Sequence, residues 1–153
     1  MATISNVTLT IDNYNATAKT VQLHFAYRLT PSSVERMAGT VYREVFNLLG
    51  RDYFVPLPRG VEMDATLPSR DTTLGNFGGG IFAASPSTAA INRSFTVTVA
   101  KSLLNEDKEL SSSGSEVADE VLAKASVTVI ANLPVGAGVI PPGFSPLVGG
   151  TWT

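Results

Sequence analysis

Six carboxylates crowd one short region of the chain: Glu106, Asp107 and Glu109, then Glu116, Asp119 and Glu120 across the segment SSSGS. Calcium takes about six to eight oxygen ligands, so an oxygen-rich loop of a β domain can hold it, here through Glu106, Asp107, Asp119 and Glu120. The spacing fits no EF-hand loop. The plainer reading is a solvated acidic turn that pairs with Lys101, Lys108 and Lys124, and pairs of that kind contribute little. No cofactor is therefore expected, and calcium is the one ion the composition leaves open.

His24 is the only histidine and falls on the polar side of an alternating stretch. No Gly-x-Ser-x-Gly elbow accompanies it, which argues against a serine hydrolase. Glu44 and Asp52 form no pattern beyond chance for the paired carboxylates of a glycosidase. The chain has no cysteine, so thiolate catalysis, disulfides and zinc–thiolate sites are excluded together. The glycine-rich GNFGGG at 75–80 lacks the Gly-Lys-Ser/Thr ending and the strand-to-helix setting of a phosphate loop. Its expected role is backbone freedom that lets Phe77 and Phe82 dock while the chain turns. The sequons at Asn6, Asn15 and Asn92 matter only if the protein passes through a glycosylating compartment. An enzyme is not expected.

The carboxy-terminal stretch carries a different kind of signal. No charged side chain follows Lys124, and residues 133–153 hold four prolines and five glycines. These forbid a helix or a central strand. Yet the same stretch contains Val135, Val139, Ile140, Phe144, Leu147, Val148 and the sole tryptophan, Trp152. Disordered tails are poor in such groups, and an apolar arm left in water is an association hazard. Burying Phe144 or Trp152 is worth about 2–3 kcal/mol each, enough to anchor an extended segment. The arm either folds back over its own domain or reaches a neighbouring copy. The uncharged stretch 72–92 is a second contact surface of the same kind.

Strands must position these groups. In SNVTLTIDN, Val7, Leu9 and Ile11 alternate with Asn6, Thr8 and Thr10; in TVQLHFAYRLT, Val21, Leu23, Phe25, Tyr27 and Leu29 form one face. Both read as half-buried strands joined by the turn DNYNAT. Residues 31–38 read as a loop or short helical turn, because Pro31 and Ser32 to Glu35 resemble a helix start with a capping box. Residues 40–49 read as a strand, although Val34, Met37, Ala38, Val41, Val45, Leu48 and Leu49 also fall at helical spacing. A long Pro/Gly-rich connection covers 53–92, with short edge strands near 53–57 and 80–84. Further strands follow in RSFTVTVA and at 121–131, with a short helical turn or loop in KSLLNEDKEL. This predicts an all-β, antiparallel β-sandwich, immunoglobulin-like in layout, over 1–132, followed by an extended arm over 133–153.

The balance of 11 basic and 13 acidic residues gives no field for a polyanion, so nucleic acid is not an expected partner. No apolar run is long enough for a membrane helix, and the first residues do not read as a signal peptide. The expected function is structural. The chain assembles with itself, as in a filament or a virion surface, through Phe77, Phe82, Val139, Ile140, Phe144, Leu147 and Trp152. The alternative is a binding module, calcium-assisted or not, that recognises carbohydrate or protein through its loops. The compartment is not legible, but an extracellular filament or virion surface fits the composition better than the cytoplasm.

Overall fold

The alternating stretches become strands, and every strand pairing among the described residues is antiparallel. The computed structural model describes residues 1–52, 70–104, 119–135 and 138–150. In chain order the elements are β1 (Thr3–Asn15), β2 (Thr20–Thr30), α1 (Ser33–Ala38), β3 (Val41–Asp52), β4 (Arg70–Phe77), β5 (Ile81–Ala83), β6 (Ile91–Ala100), a 3-10 turn (Lys101–Leu104), β7 (Asp119–Ala131), β8 (Gly143–Phe144) and β9 (Val148–Gly150). One sheet has the order β1–β2–β6; the other runs β4–β3–β7–β8, with β5 also on β3 and β9 also on β7. The fold is all-β. Among the described residues no helix is long and apolar enough to cross a membrane.

β1 shows how sequence and sheet geometry are reconciled. Ala2 is buried and Ile4 packs on the core, whereas further along Val7, Leu9 and Ile11 do so. The inward parity therefore changes from even to odd. The register slips between Ser5 and Thr8, and Asn6 within the slip has φ 51°. A bulge inserts one unpaired residue and so returns the next apolar side chain to the core face. Asparagine is among the few non-glycine residues that tolerate this backbone region.

In β2 the odd positions from Val21 to Leu29 are all buried, as the alternation predicts. They meet side chains of the second sheet. The Phe25 ring lies 5.2 Å from Phe46 and 5.8 Å from Phe77, and Phe46 stacks on Phe95 at 5.9 Å. Leu48, Val121, Ala123 and Ala125 complete this shared cluster from β3 and β7. Aromatic pairs at such distances add about 0.5–1.5 kcal/mol beyond the area they bury.

Residues 31–49 contain both of the elements their spacing suggested. Ser32 caps α1, with its hydroxyl accepting from Glu35 N at 3.2 Å and donating to Glu35 Oε1 at 3.0 Å. Gly39, at φ 61°, closes the helix in the left-handed conformation. From Val41 onward the chain is strand β3. The carboxy-terminal arm is edge structure, as its prolines require. β8 and β9 both pair with β7, through Lys124 opposite Phe144 and Val121 opposite Val148.

Candidate association surface

α1 is turned inside out. Val34 and Met37 stand three residues apart and so share a helix face. That face points to solvent: Val34 is 59% exposed and Met37 77%, with Ala38 exposed beside them. The charged residue Glu35 faces inward and is only 3% exposed. Ordinary amphipathic helices do the reverse.

The inward carboxylate is held from three sides. Tyr42 Oη donates to Glu35 Oε2, Ser32 Oγ donates to Oε1, and the Met1 amine lies 3.3 Å from Oε1. Burial raises the Glu35 carboxyl, but these donors and the amine's charge together outweigh it and hold the group below its ordinary value. Burial of Tyr42 and its bond to Glu35 push the phenol up.

The arm's first turn joins this surface. Asn132 Nδ2 donates to Gly39 O at 3.1 Å, and Thr40 Oγ1 donates to Asn132 O at 2.9 Å. These bonds fix Asn132 at the end of α1, and the exposed Leu133 follows it directly, with Val135 exposed two residues further on. A Cβ on Gly138 would lie 3.2 Å from Met1 Sδ, so the next part of the arm passes Met1. Val139 follows, 89% exposed. Met1, Val34, Met37, Leu133, Val135 and Val139 are thus the exposed apolar side chains of the first residue, α1 and the start of the arm, called the apolar cap below.

The residues singled out for self-association fall into distinct settings. Val139 is part of the cap. Phe144, 52% exposed, lies on β8 with Lys124 Nζ 6.0 Å from its ring centre. Ile140 is buried in its own chain's core, and Leu147 is half-buried. Phe77 and Phe82 pack on the core, Phe77 near Phe25 and Phe82 5.5 Å from Tyr42. Trp152 lies outside the described residues. So do Glu106 and Asp107, and of Asp119 and Glu120 only the strand backbone in β7 is described. Val34, Met37 and Leu133 were not foreseen as surface. The clue available was the capping box, which turns Glu35 back onto Ser32, about 100° round the helix from Val34.

Two polar constellations lie elsewhere. Glu44 on β3 receives Arg93 Nη2 at 2.6 Å, Arg93 Nε at 3.0 Å and Tyr27 Oη at 2.6 Å. Burial, then the bond to Glu44 and its charge, pushes the Tyr27 phenol up, while the bond to Glu44 raises Arg93 against its own burial. Both shifts keep Tyr27 and Arg93 protonated near neutrality, and the cluster ties β2, β3 and β6 together. On the open side of the first sheet His24 bridges Asp12 (2.7 Å from Nε2) and Thr96 (2.9 Å from Nδ1). The order Asp–His–Thr has the connectivity of a nucleophile relay, drawn from β1, β2 and β6. A nearby depression of about 310 Å³ is lined by Asn6, Ala26, Tyr27, Arg28, Asn92, Arg93 and Ser94. Of the sequon asparagines, Asn15 is already engaged, since its Oδ1 accepts from Thr17 N and Ala18 N.

No family model matches this sequence, and no curated protein matches it.

Proposed function

We propose that this chain is a non-enzymatic structural subunit: a β-sandwich of immunoglobulin-like layout that assembles with copies of itself, in a filament, a virion surface or a similar array. The observation that carries the reading is α1, whose apolar residues Val34 and Met37 face water over an inward Glu35. Leu133, Val135 and Val139 are further apolar side chains left exposed at the start of the arm. Each such side chain gains about 1.5–3 kcal/mol when fully covered. A surface of this kind on a lone molecule invites association. The partner best matched to it is another copy, which presents the same apolar cap.

Light scattering on the purified protein beside a Val34→Glu/Met37→Glu variant tests this. The wild type is expected to run as a large assembly and the variant as a monomer with an unchanged melting temperature. A wild type that stays monomeric at tens of micromolar (on the order of the range where weak interfaces form), or a variant that assembles like the parent, overturns it.

A further inference from the structure

The depression on the open side of the first sheet follows from the strand register. Ala26 on β2 stands opposite Ser94 on β6, and Arg28 stands opposite Asn92. In the outward row Gln22, His24, Ala26 and Arg28 only Ala26 is small, so the surface sinks there by the depth of a side chain. On the β1 side the bulge sets Asn6 at the rim, with its backbone at φ 51°. The volume enclosed, about 310 Å³, lies at the small end of the range for ligand sites. Neighbouring polar groups are already engaged: His24 by Asp12 and Thr96, and Arg93 by Glu44. Asn6, Arg28, Asn92 and Ser94 differ. All are exposed, and no ion pair or side-chain hydrogen bond among the described residues uses any of them.

We propose that this depression binds a small polyhydroxylated carboxylic acid, with the carboxylate on Arg28 and the hydroxyls on Asn6, Asn92 and Ser94. A guanidinium is always charged and presents parallel N–H groups that match the two oxygens of a carboxylate. The amides of Asn6 and Asn92 and the hydroxyl of Ser94 each donate and accept, as ligand hydroxyls require. Inorganic phosphate would use largely the donors and leave the accepting atoms to water. No carboxylate lines the depression to repel an anion, and Glu44, bonded to the lining residues Tyr27 and Arg93, is already ion-paired. The space of about 310 Å³ corresponds to roughly ten waters at ~30 Å³ each, which limits the ligand to about the size of one sugar-acid ring. An exposed site of this size and polarity binds weakly, with Kd on the order of 1 mM. The proposal is independent of self-assembly, since neither α1 nor the arm lines the depression.

Saturation-transfer NMR, which detects the ligand and so works on a monomer or an assembly, tests this with glucuronate and glucose as probes and inorganic phosphate as competitor. Transfer to glucuronate is expected with Kd on the order of 1 mM, and glucose, the same ring without the carboxylate, should bind at least about tenfold more weakly. Arg28→Gln removes the guanidinium from an exposed position and should abolish the signal. Ala26→Leu fills the floor, leaves Arg28 in place, and should abolish it too. Circular dichroism melts establish that each variant is folded; should one misfold, the other decides. Absent transfer to glucuronate, equal binding of glucose, undiminished binding in a folded variant, or displacement by an equimolar amount of phosphate would each overturn the proposal.

Discussion

Arg93 grips Glu44 at two points, Nη2 to Oε1 at 2.6 Å and Nε to Oε2 at 3.0 Å, and in doing so ties the two sheets together. Arg93 lies on β6 of the first sheet and Glu44 on β3 of the second. Tyr27, from β2, completes the clasp on Oε2. Phe82 covers the guanidinium with its ring, 4.4 Å away. The glycine-rich segment is what makes room. A Cβ on Gly80 would sit 2.5 Å from Glu44 Oε1 and 2.9 Å from Arg93 Nη2, and Gly80 O accepts from Glu44 N at 3.0 Å.

Glu44→Ala is expected to lose stability by about 3–5 kcal/mol, because it strands a guanidinium and a phenol between the sheets. Partial exposure of Arg93 places the loss toward the lower end. For a chain of this size each kcal/mol lowers the melting temperature by roughly 2–4 °C. Tyr27→Phe removes one bond and leaves the ion pair, so its loss is about 1 kcal/mol. Thermal melts of the two variants check the order; equal losses would mean that the ion pair contributes nothing beyond the phenol.

The notch under the arm has no space for a larger residue. Gly143→Val is expected to lift the segment off Ile4 and Val7, a strain of about 1–3 kcal/mol. Chymotrypsin then cleaves after Phe144 much faster in the variant than in the wild type, while far-ultraviolet circular dichroism keeps its β signature. Equal cleavage rates would show that Gly143 does not hold the arm.

Where side chains alternate by polarity, the strands are readable from the residues alone: β2 and β6 follow their pattern throughout. β3 is harder for a specific reason. Its inward positions are Tyr42, Glu44, Phe46 and Leu48, while Val41 and Val45 are only half-buried. A charge thus stands where an apolar residue belongs, and two valines stand where polar ones do, so period two is masked and helical spacing looks competitive. The arginine that makes Glu44 acceptable lies 49 residues away, and only the fold brings it there. α1 fails the other way. Its apolar spacing is real, but its phase relative to the core is set by Glu35, Ser32 and Tyr42 together. The arm's apolar content signals docking, and the choice of β7 as its edge follows from pairing that no local pattern encodes.

Calcium is expected to leave the melting temperature unchanged, since the spacing of the acidic residues fits no EF-hand loop. A site filled at about 100 times its dissociation constant would add about 2.7 kcal/mol, a rise of several degrees. Scanning calorimetry with millimolar calcium (on the order of the weaker extracellular sites) against chelator decides it. A clear rise, abolished by Asp119→Ala with Glu120→Ala, would move the reading toward a metal-assisted binding module.

Glu35 should make the cap sensitive to acid. Its folded carboxyl is held below the ordinary value of 4.5, so the stability it contributes is fully present above that value. That contribution is lost as pH falls through the lower folded value, where the protonated group no longer holds the Met1 amine and the Tyr42 hydroxyl as an anion does. Glu35→Gln has no such proton to gain. The wild type is thus expected to exceed the variant in stability at pH 7, with the gap narrowing progressively as pH falls below ~4.5. Thermal melts between pH ~7 and ~3 measure it. A gap that stays constant with pH would show that Glu35 is not the titrating anchor of α1. If the gap closes, light scattering over the same range should show the assembly weakening with it, because the helix that Glu35 tethers is the one presenting Val34 and Met37.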